Sequence, residues 1–180
     1  MKIRNVFMLV CALVWLIQTD GVAEKSVLAQ KQKKENPGGL KPGDPSPDFR
    51  AVDVNGRPVF LKSLKGKYVY IDLWATWCGP CLGEVPHLQK LEKKMHDRKI
   101  VFVSISCDDD FGGWKEYVQE NAMGGIQLNF DGNQRFQELY QVKSIPRFIL
   151  LDKKGRIINA DMTRPSNPKT GKTLEALKGI

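Results

Sequence analysis

An α/β fold built on a mixed central sheet is predicted by three features of this 180-residue chain. The first is the order of its apolar segments: strand, helix, strand, helix, then two strands joined by a tight turn, then a last helix. That order puts parallel and antiparallel pairings in one sheet. The second is the run at 67–74, where Tyr68, Val69, Tyr70, Ile71 and Leu73 leave little room for a solvent face. A near-continuous run of this kind marks a central strand covered on both sides. The third is the helical spacing of Val85, Leu88, Leu91 and Met95 immediately after it.

The elements follow in order. Phe49–Asp53 alternates as a strand, Asn55-Gly56 signals a tight hairpin turn, and Val59–Leu61 is the return strand. After the central strand a helix is predicted over 79–96. Ile100–Ser106 is a second core strand. Gly112-Gly113 is expected to break the chain before a short helix at Trp114–Asn121. A strand at Ile126–Phe130 and a short helix at Gln134–Tyr140 come next. Arg147–Leu151 and Arg156–Ala160 form a strand pair around Lys153-Lys154-Gly155, and Thr170–Leu177 is the terminal helix.

The folded part is expected over 41–180. Residues 1–23 read as a secretory signal, with Lys2 and Arg4 ahead of the apolar stretch Val6–Ile17 and small residues at Gly21-Val22-Ala23. The apolar stretch is short against the roughly 20 residues of a membrane span, so an uncleaved N-terminal anchor is the lesser alternative. No small-residue box precedes Cys11, which argues against lipidation there. Residues 24–40 carry no apolar period and end in Pro37-Gly38-Gly39, as a flexible linker does. Export implies a periplasmic or cell-envelope location.

The formal net charge is +8. A basic balance is compatible with nucleic acid or an anionic membrane. The lysines are scattered, however, and no nucleic-acid motif accompanies them. No nucleic-acid partner is expected, and the membrane is expected to matter only through an N-terminal anchor.

Of four cysteines, Cys78 and Cys81 form a C-x-x-C where the central strand gives way to the helix. A helix N-terminus offers free N–H groups and partial positive charge, which stabilise a thiolate and lower its pKa from roughly 8.5. Cys78 is expected to be exposed and nucleophilic. Cys81, a turn further in, is expected to be more buried and placed to resolve a mixed disulfide. Pro80 suits the first turn of a helix, and Gly79 keeps the approach open. A zinc site is disfavoured: no second C-x-x-C exists, and His87 and His96 lie on the same helix. Neither a metal nor any cofactor beyond the cysteine pair is expected. Cys107 reads as a buried inert thiol, Asp108-Asp109-Asp110 as a solvated loop, and Trp114 and Tyr117 as packing for the short helix.

The block Trp74-Ala75-Thr76-Trp77-Cys78-Gly79-Pro80-Cys81, with Glu84 and Pro86 after it, resembles the thioredoxin superfamily. More narrowly it resembles the exported TlpA/ResA-like group, over about 41–177. The Pro42–Phe49 approach, the Asn55-Gly56 hairpin and Lys65-Gly66-Lys67 belong to the same likeness. It implies a thioredoxin fold with an N-terminal β-hairpin and an inserted strand and helix within 108–131. It implies a cis Ile145-Pro146 bond facing the cysteines. It matches Glu84 to the group's active-site glutamate, and it matches Asp72 to the buried aspartate behind the second cysteine of cytoplasmic thioredoxins. A carboxylate inside that strand is costly without a task, so Asp72 is a candidate proton acceptor for Cys81. Which of Asp72 and Glu84 serves Cys81 stays open.

The expected machinery is therefore Cys78, Cys81, Glu84 and Asp72. Trp77, Gly79, Pro80, Ile145 and Pro146 form the expected docking surface for an extended substrate. The Gly-Pro pair is thioredoxin's, whose potential is low, ~−270 mV. The expected activity is reduction of disulfides in exported proteins by a monomer, with a membrane thiol carrier as electron donor. Apocytochrome c is one conceivable substrate. The alternatives are a thiol peroxidase of the peroxiredoxin type and a non-catalytic binding domain.

Overall fold

The computed structural model describes residues 39–180; the leader, nearly all of the linker and Cys11 lie outside the described residues. Seven strands form one sheet in the order β2-β1-β5-β4-β3-β6-β7. They are β1 (Arg50–Asp53), β2 (Pro58–Phe60), β3 (Tyr68–Trp74), β4 (Ile100–Ser106), β5 (Ile126–Asn129), β6 (Arg147–Leu151) and β7 (Ile157–Met162). The helices are α1 (Gly79–Leu82), α2 (Val85–Lys94), α3 (Phe111–Glu120), α4 (Arg135–Leu139) and α5 (Pro168–Glu175), with a 3-10 turn at Leu61–Leu64.

All seven residues of β3 are buried. The strand runs parallel to β4 and antiparallel to β6, and its side chains alternate between two cores as pleating requires. Val69, Ile71 and Leu73 face one core with Phe49, Phe130, Phe136 and Ile149. Tyr68 and Tyr70 face the other with Leu88, Leu91, Met95 and Leu174. Asp72 and Trp74 continue this second row. The expectation of a two-sided central strand holds, and it carries an acid into the interior.

The inserted segment supplies α3 and β5. β5 pairs parallel with β4 and antiparallel with β1, so it is the strand through which the N-terminal hairpin joins the sheet. In the hairpin, Asp53 Oδ1 accepts from the N–H groups of Asn55 (2.8 Å) and Arg57 (2.9 Å). Gly56 takes the positive φ of 74° that the turn needs.

Three expectations are corrected. The helix predicted over 79–96 is two helices, α1 and α2. Pro86 has no N–H to give to the Leu82 carbonyl, and its ring crowds that carbonyl. The chain kinks at Gly83-Glu84, with i−3 bonds from Glu84 N to Cys81 O and from His87 N to Glu84 O. Second, Gly112-Gly113 does not break the chain. Asp110 caps α3 by accepting from Gly113 N at 3.1 Å, and both glycines lie in its first turn. Third, β7 runs to Met162, past the expected end at Ala160, and α5 starts earlier, on its Asn167 cap.

Candidate functional site

β3 ends at Trp74, and Ala75-Thr76-Trp77 carries the chain to Cys78, the N-cap of α1. Cys78 and Cys81 are joined in a disulfide with their Cα atoms 5.2 Å apart. The Cys81 backbone N–H donates to Cys78 O at 2.9 Å and is shared with Cys78 Sγ at 3.3 Å, so a first-turn N–H reaches the sulfur a thiolate would occupy. Pro80 stands in that turn, and no heavy atom lies within 4 Å of where a Gly79 Cβ would be.

Cys78 is 6% exposed and Cys81 3%. The expected contrast between an exposed and a buried cysteine is absent in this disulfide form. Both pack in one cluster with Trp74, Ala75, Trp114 and Val118, and Ile145 lies against it. Trp77, by contrast, is 71% exposed. Beside it a cavity of about 330 Å³ is lined by Trp77, Ile145, Ser144, Phe130, Val142 and Cys107, among others. The Ile145–Pro146 bond is cis.

Asp72 is 6% exposed. Burial pushes its carboxyl up to about 8; the Ser104 hydrogen bond opposes the rise, and the charges of Glu84 and Glu92 add to it. Ser104 Oγ donates to Oδ2 at 3.5 Å, a long contact, and Oδ1 has no partner. Next on this face of β3 is Trp74, which packs in the cysteine cluster. A solvent-facing Asp72 is excluded. The same row holds a further buried polar group, since Ser104 stands in register with Asp72 and Gln127 in register with Ser104.

Glu84 is buried at the kink between α1 and α2. Its Oε2 accepts from Ser166 N at 2.9 Å and its Oε1 from Ser166 Oγ at 2.8 Å, with Arg164 at 4.0 Å. Its carboxylate is thus engaged by the segment between β7 and α5, partners that sequence reasoning did not supply.

The acidic triplet is not a solvated loop throughout. Asp108 is buried, and it accepts from Thr76 N, Thr76 Oγ1 and Ser106 Oγ. Asp110 is the α3 cap. The sequence held one usable signal for Asp108: if β3 and β4 run parallel, the residues just past their ends lie side by side. Cys107 is half-buried, and burial first, then the charges of Asp108 and Asp72, push its thiol up to about 12. Such a thiol stays protonated and unreactive near neutrality. Glu92, on α2, is pushed up to about 7 by burial.

Chemically, the arrangement offers a dithiol at a helix N-terminus, a protonatable acid in the sheet beneath, and an apolar surface around the cysteines. The chain is similar to known proteins in sequence and in fold. A candidate thiol-disulfide oxidoreductase from Bacteroides vulgatus, solved by crystallography, is 39% identical, with a TM-score of 0.72 over 76% of this chain and 96% of that one. The thioredoxin-like protein YneN of Bacillus subtilis is 32% identical over 158 residues, 87% of this chain and 78% of that protein. The thiol-disulfide oxidoreductase ResA of Bacillus anthracis is 29% identical over 116 residues, 64% of this chain and 66% of that protein. The matched region thus spans just under two thirds of the length of that ResA. The description of the Redoxin family matches residues 41–177, from the approach to the hairpin through to the terminal helix. With its thioredoxin-like sheet and its helix-capping cysteine pair, the chain belongs to the Redoxin family.

Proposed function

We propose that this chain is an exported thiol–disulfide oxidoreductase that reduces disulfides in other exported proteins. The observation that carries the reading is the Cys78–Cys81 disulfide at the N-terminus of α1, with a first-turn N–H directed at Cys78 Sγ. In the reduced form the Cys78 thiolate attacks one sulfur of a substrate disulfide. A mixed disulfide forms, and the first substrate thiolate leaves to take a proton from solvent. Cys81 gives its proton to Asp72 in the ionised fraction that a carboxyl near 8 retains at neutral pH, and its thiolate attacks Cys78 Sγ. The second substrate thiolate leaves, and the Cys78–Cys81 bond closes. Two electrons have moved to the substrate.

Asp72 suits the proton step better than Glu84. A carboxyl near 8 is close to the ordinary thiol value of roughly 8.5, so a proton moves between them at little cost. Glu84 is tied to Ser166, and we assign it to holding the kink between α1 and α2. Trp77, Gly79, Pro80, Ile145 and Pro146 form the docking wall. Returning the pair to the dithiol needs an outside reductant, for which a membrane thiol carrier is the fitting class. The leader read in 1–23 supports a reaction outside the cytoplasm.

Turbidimetric reduction of insulin by the full chain, with dithiothreitol as electron source, tests the reading. The expected result is rapid precipitation that Cys78→Ser abolishes. Equal rates for Cys78→Ser and the parent chain would overturn it.

A further inference from the structure

Asp108 is the hub of a buried hydrogen-bond cluster that joins the ends of β4 and β5 to Thr76, on the approach to Cys78. Its Oδ2 accepts from Thr76 N at 3.0 Å and from Ser106 Oγ at 2.5 Å. Its Oδ1 accepts from Thr76 Oγ1 at 2.7 Å and stands 3.2 Å from Thr76 N. Donor bookkeeping fixes the direction of the network. Ser106 Oγ already accepts from Asp108 N at 2.8 Å and from Asn129 Nδ2 at 3.3 Å. Its one proton is therefore left for the carboxylate. Asn129 Nδ2 also donates to Asp108 O at 3.0 Å, and Asn129 Oδ1 accepts from Asp131 N at 2.6 Å. The ends of β4 and β5 are thus locked onto one buried carboxylate, and that carboxylate grips Thr76, two residues before the nucleophile.

The backbone explains why the grip reaches Cys78. Trp74 and Ser106 are register partners, and Cys107 N donates to Trp74 O at 2.8 Å, so the ladder between β3 and β4 continues to the brink of the loop. Beyond it no strand pairing constrains Ala75-Thr76-Trp77. Cys78 N donates to Ala75 O at 3.1 Å, closing a tight turn around Thr76. That turn leads directly into Cys78, whose Sγ lies 3.3 Å from the Cys81 backbone nitrogen.

We infer that Asp108 is a positioning residue for Cys78, holding the Thr76 turn so that the sulfur sits over the N-terminus of α1. The inference rests on the proposed dithiol chemistry and adds a residue to it. It opposes a simple charge argument. A nearby anion by itself disfavours a thiolate, so deleting the charge would make Cys78 more reactive. Loosening the turn takes Cys78 away from its N–H partner and makes it less reactive. Asp109 and Lys143 are the other charged residues lining the cavity beside Trp77, and both stay in place in the variants below.

The test is the pH profile of iodoacetamide alkylation at Cys78 in the reduced full chain, followed by peptide mass spectrometry. This readout needs no substrate, so its failure is distinct from failure of insulin reduction. Asp108→Asn is expected to slow alkylation at pH 7 by roughly three- to tenfold, as weakening a hydrogen bond to a charged group would, with the midpoint of the profile moved up. Thr76→Val is expected to move it the same way, and Thr76→Ser to restore the parent profile. An unchanged or faster rate in Asp108→Asn would overturn the inference, as would Thr76→Val reacting like the parent. If Asp108→Asn does not fold, the Thr76→Val and Thr76→Ser pair decides alone.

Discussion

At the scale of single residues, Asp72 ties the chemistry to the stability of the fold. Its folded-state carboxyl titrates near 8, against roughly 3.9 in an unfolded chain. Between those values the folded state holds a proton that the unfolded state has lost, so stability falls as pH rises through that window. Asp72→Asn removes the dependence. Urea unfolding should show the variant about as stable as the parent at pH 4 and more stable at pH 9, by several kcal/mol. Its insulin reduction should be slower, because the proposed proton acceptor of Cys81 is gone. Equal stability gains at both pH values would contradict this assignment. Cys107 is expected to behave oppositely to Cys78: with its thiol pushed up to about 12, iodoacetamide at pH 8 should label Cys78 of the reduced chain and leave Cys107 unmodified. The cysteine motif and Ile145-Pro146 were legible because each is a contiguous string with its chemistry inside it. Asp72 was legible through the cost of a carboxylate in an apolar strand. The Ser166 partner of Glu84 was not, since 82 positions separate them and no local period encodes that meeting. Asp108 was hidden for another reason: three adjacent aspartates look alike until the sheet buries the first and gives the third a helix to cap.

Between elements, the loops that frame the cysteines are held by caps and clasps rather than by broad packing. Asp110 caps α3, whose Trp114 and Val118 wall the cysteine cluster. Asp110→Ala should cost about 1 kcal/mol, read as a lower urea midpoint with unchanged slope. Glu84 ties the start of α2 to the segment before α5 through Ser166. Strand positions in this protein follow from apolar runs, and they were read to within a residue or two. Helix boundaries were read less well, for physical causes. Pro86 acts at a distance of one turn, kinking a helix whose apolar stripe is otherwise continuous. Gly112-Gly113 is a breaker by propensity, yet here both glycines lie inside the first turn that the Asp110 cap starts.

Across the whole molecule, the sheet order puts the cysteine pair at the end of the central strand, with β4 and β6 flanking and β5 joining the hairpin to the rest. The mixed α/β class was readable from element order. The pairing of β5 with both β4 and β1 was not, because a four-residue strand carries little pattern of its own; the family likeness, not periodicity, pointed to an insertion there. The placement gives the protein one reactive face, marked by the exposed Trp77 and the cavity beside it. The central claim, that this face is a reductant, is tested most directly by the equilibrium reduction potential of the Cys78/Cys81 pair, measured against a dithiothreitol and glutathione series by the fraction of disulfide. A low value, ~−270 mV, as for thioredoxin, is expected, whereas a value of about −120 mV, that of a strong oxidant, would overturn the reductant reading.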